Sequence, residues 1–449
     1  MQREFDLVVI GTGAAGSTVA SKCQAAGWNV AILDSRPFGG TCALRGCDPK
    51  KVLVGAAEVS EHADRMSGKG ISSGTPIDWP ALIRFKRTFT DPVPEDREKS
   101  FSKAGIRLFH GRTRFLDRNT LQIGDDTLST RYIVIAAGAV PAHLGIPGEQ
   151  YLTTSEQFLE LDRLPARILF VGGGYISFEF AHVAAQAGAQ VRILHRGVRP
   201  LQGFDPDLVE KLAGASRDSG IDLKLNIAVR AIEKSGDRLL VTASASGEEQ
   251  RFETDMVVHG AGRVPDIDDL DLAKAGVRRD KNGIVVNEYL QSPSNPSVYA
   301  AGDAASTAGM PLTPVASMEG DAVASNLLEG NRQKPNYLGI PTVVFTSPPL
   351  ASVGLLEQET IERGLKFRVH HQDTTSWYSS RRTAIKASSF KVLVEEESER
   401  ILGAHLFGPN AEEVINLFAL AIRLDLRAPD LKRMIYAYPT NSSDVPYML

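Results

Sequence analysis

Hydrophobic positions come in short runs, and two of these runs open the same unit. Asp6-Leu7-Val8-Val9-Ile10 reads as an apolar strand. Gly11-Thr12-Gly13-Ala14-Ala15-Gly16 follows, then small residues from Ser17 to Ala26 that predict a helix, then a strand from Asn29 to Leu33. The order returns about 160 residues later, as Arg167-Ile168-Leu169-Phe170-Val171, Gly172-Gly173-Gly174-Tyr175-Ile176-Ser177, a helix from Phe178 to Gln186 and a strand from Gln190 to Leu194. Strand, glycine turn, helix, strand is the unit that holds a dinucleotide. Gly11 and Gly172 make the tight turn, and Gly13 and Gly174 let the backbone approach a pyrophosphate. Gly16 and Ser177 keep helix and strand close, and the phosphates lie on the positive end of the helix.

Two further apolar runs end in small residues: Arg131 to Gly138, and Ser297 to Asp303, which closes on Gly302-Asp303. Beyond about Asn336 the pattern changes. Thr342–Phe345, Phe390–Val394 and Ile401–His405 predict strands, and Ala411 to Leu424 an amphipathic helix, so an antiparallel α+β region without a nucleotide motif is expected. A chain of 449 residues suits about three domains. A net charge of −4 gives no reason to expect a nucleic-acid or anionic-membrane partner. No apolar run reaches the ~18 residues of a membrane span, and the opening Met1-Gln2-Arg3-Glu4-Phe5-Asp6 lacks the pattern of a signal peptide. A cytoplasmic location is the expectation.

Of three cysteines, Cys23 lies seven residues past Gly16 and reads as packing, while Cys42 and Cys47 are five apart. Disulfide exchange needs one exposed attacking thiol and a second to resolve the mixed disulfide. A helix start beside such a pair favours the thiolate. The other readings are two buried small hydrophobes or a zinc site, and no second Cys/His cluster accompanies the pair.

Taken in order, these residues resemble the pyridine nucleotide–disulfide oxidoreductases of the glutathione reductase, lipoamide dehydrogenase and mercuric reductase group, over nearly the whole chain. The most specific segment is Gly39-Gly40-Thr41-Cys42-Ala43-Leu44-Arg45-Gly46-Cys47-Asp48-Pro49-Lys50-Lys51; Ala300–Asp303 and Pro341–Gly354 add to it. The resemblance implies an α/β fold with two Rossmann-like domains and a C-terminal α+β dimerisation domain. Residues 1–150 and 263–335 would bind FAD, 151–262 NAD(P)H, and 336–449 would form the interface of a homodimer.

It further implies that Cys42 meets substrate and Cys47 lies against the flavin. Lys50 would pair with Glu179 beside the flavin, with Lys51 as the alternative to Lys50. Thr41, Gly138, Gly302 and Asp303 would contact FAD. Ile176, Gly262 and Arg263 fall with the cofactor contacts too. Asp34, eighteen residues after Gly16, suits the ribose of an unphosphorylated adenosine. The same register in the second unit holds His195, followed by Arg196 and Arg199, which suits the 2′-phosphate of NADPH.

Three departures bear on substrate. The group typically ends in His-Pro-Thr-x-x-Glu, whose histidine, supplied by the partner subunit, moves a proton at the substrate thiol. Here Tyr438 and Ser443 stand at the histidine and glutamate positions. Ser21 and Asp321 stand where glutathione reductase carries arginines for the carboxylates of glutathione. The chain stops at Tyr447-Met448-Leu449 without a terminal cysteine pair. An NADPH-dependent flavoprotein disulfide reductase is therefore expected, passing electrons from NADPH to FAD to Cys42–Cys47 and on to an acceptor other than glutathione disulfide. A reductase of metal ions or quinones is the first alternative, and a slow redox-sensing flavoprotein the second.

Overall fold

The computed structural model describes residues 2–72 and 74–449. The chain forms two compact units: Met1–Pro49, Phe85–Ala142 and Arg263–Tyr337 make one, and Lys50–Arg84, His143–Gly262 and Leu338–Leu449 the other.

The first unit is built on a sheet whose parallel strands run Arg107–His110, Val30–Asp34, Gln2–Ile10, Asp126–Ile135, with Val298–Ala300 also on the last of these. The strands Thr120–Ile123 and Thr113–Phe115 continue it antiparallel. Ile10 pairs with both Leu33 and Ile135, so three strands end together and deliver Gly11, Asp34 and Ala136 to one edge. Ligands of open α/β sheets bind at such carboxyl ends.

The helix begins at Ala14, earlier than the small-residue run predicts, because Gly13 is already the extended N-cap. It packs on the helix Thr313–Glu329: Val19, Ala20 and Cys23 share a core with Ala322, Val323 and Ala324. Cys23 is fully buried, and burial pushes its thiol up to about 12, which makes it a packing residue.

The second unit repeats the plan. Its parallel sheet runs Asp222–Lys224, Gln190–Leu194, Arg167–Val171, Met256–His259, Leu152–Thr153. The helix Tyr175–Gln186 again starts directly after its second glycine. An antiparallel meander, Ile227–Ser235, Arg238–Ala245 and Glu248–Thr254, adjoins it in sequence. The C-terminal part is a five-stranded antiparallel sheet in the order Thr342–Val344, Leu350–Gly354, Ile401–Phe407, Ser389–Glu395, Phe367–Asp373. The apolar face of Ala411–Arg423 (Val414, Ile415, Phe418, Ile422) packs with Val353, Val392 and Ala404 of that sheet. Among the described residues, no helix is long and apolar enough to cross a membrane.

One buried cation holds part of this unit together. Lys391, 2% exposed, lies 3.0 Å from the fully buried Asp205 and 2.8 Å from Glu357, and also pairs with Asp207. Its ammonium stays protonated because the three carboxylates outweigh the cost of burial. Asp205 meanwhile caps the helix Pro206–Asp218 through the N–H groups of Asp207 and Leu208. Lys391→Met should destabilise the protein by about 3–5 kcal/mol, because it strands a buried carboxylate. Adding Asp205→Asn, which keeps the cap but removes the charge, should recover a large part of that loss. Denaturant midpoints of the FAD-saturated variants check both.

Candidate active site

In the first unit, Gly11 has φ +106°, and a Cβ there would lie 2.2 Å from the Ala136 carbonyl oxygen. At Gly16 a Cβ would lie 2.0 Å from the Gly11 oxygen. Only glycine allows this turn. Beyond it the helix Ala14–Ala25 has no acidic residue in its first turn and no side chain capping its N–H groups among the described residues, so its positive end is open to a pyrophosphate.

Asp34 sits where that turn needs it. Its Oδ2 accepts from both the Thr12 N–H (2.9 Å) and the Thr12 hydroxyl (2.7 Å), and its Oδ1 from the Arg36 N–H (3.0 Å). A carboxylate oxygen has two acceptor sites, so Oδ1 retains one for a ribose hydroxyl. Gly302 and Gly138 have φ +67° and +73°. Asp303 lies in the turn Gly302–Ala304; burial raises its pKa, and the Arg263 guanidinium opposes the rise. Arg263 itself donates to the Ala139 carbonyl. These residues fit FAD: open helix N–H groups for its phosphates and carboxylates for its hydroxyls.

The cysteine pair spans two helices rather than the start of one. Thr41 and Cys42 belong to the short helix Gly40–Arg45, and Cys47 opens the helix Cys47–Arg65. The two sulfurs are not joined in a disulfide. Cys47 Sγ lies 3.5 Å from the Thr313 hydroxyl, at the start of the helix Thr313–Glu329. Cys42 Sγ lies 3.8 Å from Asp48 Oδ1. The Cys42 pKa is raised, first by its contact with Cys47 and then by burial. A hydrogen bond from the Thr313 hydroxyl opposes that rise.

In the second unit Gly172 repeats Gly11, with φ +107° and a Cβ that would lie 2.3 Å from the Gly260 oxygen. Gly174 caps the helix Tyr175–Gln186, which has no acidic first turn and no side-chain cap among the described residues. Gly262, at φ +115°, faces open space. Ser177 takes the third-glycine place and packs on Gly260, while Ile176 packs on the main core of the unit.

His195 folds back: its Nε2–H donates to the Arg199 carbonyl (3.0 Å), and its ring fills the space beside Gly173. Burial, then the nearby Arg196 charge, lowers its pKa, so at neutral pH the ring is uncharged. Its part is to shape the loop rather than to carry charge. Arg196 is exposed, and the buried Nε of Arg199 has no partner among the described residues. A guanidinium nitrogen without an acceptor beside the end of the second strand fits a phosphate.

Lys50 and Lys51 differ in their partners. Lys50 Nζ donates to Glu179 Oε1 at 2.9 Å, with the two side chains 12% and 5% exposed. The Phe345 N–H donates to the same oxygen at 3.0 Å, and the Phe345 ring lies 4.1 Å from Lys50 Nζ. Lys51 instead pairs with Glu58 at 2.9 Å with its side chain 42% exposed, and its Nζ lies 4.5 Å from the centre of the same ring. Neither Phe345 nor Thr313 stands out in the sequence, since one lies in an apolar run and the other in Leu312–Ala316.

Tyr438 is 83% exposed. Ser443 is committed to its own turn, its hydroxyl donating to the Thr440 carbonyl at 2.6 Å. The next residue, Asp444, is half-buried and accepts from Ser379. Asp321 pairs with Lys22 at 2.7 Å, beside the exposed Ser21.

Comparison with known proteins agrees with this arrangement. Residues 5–320 match the pyridine nucleotide-disulphide oxidoreductase family, and residues 340–448 match its dimerisation domain. Glutathione reductase of Burkholderia cepacia is 33% identical over 439 residues, which cover 97% of this chain and 96% of that protein. Mercuric reductase of Staphylococcus aureus is 30% identical, covering 97% of this chain and 80% of that protein. Dihydrolipoyl dehydrogenase of Chlamydia muridarum is 31% identical, covering 98% and 95%. The Cu(II) complex of the HOCl-induced flavoprotein disulfide reductase RclA from Escherichia coli superposes with a TM-score of 0.89 at 26% identity, over 99% of each chain. With both family regions matched and relatives aligned nearly end to end, the chain belongs to the pyridine nucleotide-disulphide oxidoreductases, enzymes that use FAD and NAD(P)H.

Proposed function

We propose that the protein is an NADPH-dependent disulfide reductase, a homodimer whose acceptor is not glutathione disulfide. The observation that carries this reading is the Cys42–Cys47 pair at the starts of two adjoining helices, with Cys47 Sγ 3.5 Å from the Thr313 hydroxyl. Residues 1–150 and 263–335 hold FAD, 151–262 the coenzyme, and 336–449 the dimer interface. FAD, when bound, supplies the conversion of a hydride into electrons for the cysteines. Gly11, Gly13, Gly16 and Asp34 position its adenosine half, and Thr41, Gly138, Gly302 and Asp303 its ribityl side. Gly172, Gly174, Ile176, Gly262 and Arg263 border the coenzyme. Lys50, held by Glu179, provides a fixed cation that favours negative charge on a reduced partner. Cys42 attacks the acceptor disulfide while its proton passes to the thiol that leaves, and Cys47 then attacks the Cys42 sulfur, which releases the second thiol and closes the Cys42–Cys47 disulfide. NADPH consumption against a panel of disulfides, quinones and metal ions tests the reading: activated disulfides should be reduced fastest, and failure to reduce any disulfide overturns it.

A second reading is reduction of a metal ion at the same cysteines. It is favoured by the likeness to RclA, whose structure is a Cu(II) complex, and to mercuric reductase. Soft thiolates suit such ions, and the same panel separates the two readings.

Coenzyme choice follows from Arg196 and Arg199. NADPH should be preferred over NADH by at least about tenfold, because a lost charge-assisted contact costs about 1.5–3 kcal/mol. Arg196→Ala should raise the KM for NADPH far more than that for NADH. Equal use of the two coenzymes by the wild type would refute the assignment.

A further inference from the structure

The helix Thr313–Glu329 touches two parts of the first unit that the chemistry needs. Its first residue, Thr313, lies 3.5 Å from Cys47 Sγ. Six residues on, Glu319 is 1% exposed and makes three hydrogen bonds as acceptor. Glu319 Oε2 accepts from the Gly302 N–H at 2.7 Å. Oε1 accepts from the hydroxyls of Thr307 (2.8 Å) and Tyr337 (2.7 Å). Thr307 is fixed in turn by the Gly309 N–H at 3.1 Å, and a Cβ at Gly309 would meet both Tyr337 and Glu319.

A buried carboxylate is costly and persists where its bonds matter. Here the bond to Gly302 takes the first N–H of the turn Gly302–Ala304, which carries Asp303. Thr307 and Tyr337 aim the carboxylate, and six helical residues, about 9 Å of rigid rise, join that turn to the residue against Cys47. We infer that Glu319 is a positioning residue for FAD, holding the Gly302–Asp303 turn in register with Cys47 through its acceptor oxygen on the Gly302 N–H. The inference rests on the reading of Gly302 and Asp303 as flavin contacts.

Flavin release from the holoenzyme, followed by the rise of FAD fluorescence, tests it, together with the charge-transfer absorbance of the reduced protein. Glu319→Leu has similar bulk and no acceptor; it should release flavin at least about tenfold faster and weaken the absorbance, because it leaves a buried N–H unpaired. Glu319→Gln can turn its oxygen to Gly302 and let the hydroxyls accept from its NH2, so its release rate should stay within about threefold of the wild type. Release from Glu319→Leu at the wild-type rate overturns the inference, and so does Glu319→Gln behaving like Glu319→Leu. If Glu319→Leu yields no holoenzyme, the double variant Thr307→Val, Tyr337→Phe takes its place: it frees the carboxylate from its two guides and should release flavin about threefold faster or more. No change there overturns the inference as well. Asp303→Ala separates the two levels. If it too leaves release unchanged, the flavin reading of the turn falls and takes Glu319 with it. If it speeds release while Glu319→Leu does not, only the role of Glu319 falls.

Discussion

Cys47→Ser should abolish the long-wavelength charge-transfer absorbance of the two-electron-reduced protein, and Cys42→Ser should keep it. The band requires a thiolate against the flavin. Cys47 opens the helix Cys47–Arg65, where unpaired N–H groups stabilise an anion, and its sulfur lies 3.5 Å from the Thr313 hydroxyl, a potential donor. Cys42 is the opposite case. Its pKa is raised by Cys47 and by burial, so it keeps its proton as pH rises through neutrality. The pair therefore carries one charge, and that charge sits on Cys47. A serine hydroxyl at position 47 does not ionise in this range and gives no band. With Cys42→Ser the charged sulfur and its helix remain. Titrating the reduced wild type and both variants between about pH 6 and 9, a range that spans a free thiol's pKa of ~8.5, measures this directly. Absence of the band in the wild type, or its loss in Cys42→Ser alone, would overturn the assignment of the two sulfurs.

Much of this site was legible because its chemistry is local. A glycine that must pass under a carbonyl leaves its mark at one position, so the two turns, their strands and Asp34 could be read from spacing. The strand Arg167–Val171 lies where its apolar run places it. Helix starts were set too late, since Gly13 and Gly174 serve as N-caps and the small residues after them already belong to the helix. What pairs across long separations left no such mark. The bond between Lys50 and Glu179 joins residues far apart in sequence, and the neighbouring lysines are equivalent until their partners are known. Glu319 reads as one charge in a helix, and only the folded chain gives it three donors. The meander Ile227–Thr254 carries no motif, and Phe252 is the one apolar residue of its last strand. His195 shows what register leaves open: spacing places it at the end of the second strand, and the fold adds a bond from its ring to the Arg199 carbonyl.

Glutathione disulfide should be a poor substrate, with kcat/KM at least about a hundredfold below that of an activated aromatic disulfide. Two independent shortfalls act together. At the face where glutathione reductase carries arginines, this chain has Ser21 and Asp321, and Asp321 already neutralises Lys22 at 2.7 Å. Each missing charge-assisted contact costs about 1.5–3 kcal/mol, or roughly a factor of 10–150. The second shortfall is proton transfer. Tyr438 is exposed, and a phenol is a poor base at neutral pH and cannot become a cation that steadies a leaving thiolate. Ser443 gives its hydroxyl to Thr440, and Asp444 accepts from Ser379, so each is engaged within its own loop. A leaving group of low pKa needs no general acid, which is why the activated disulfide escapes this penalty. With that substrate, Tyr438→Phe should lower kcat by less than about tenfold, against the ~10²–10⁴-fold expected for loss of a true general acid–base residue. Rapid reduction of glutathione disulfide, or a Tyr438→Phe loss in the larger range, would make the tyrosine a working proton donor and overturn the proposed choice of acceptor.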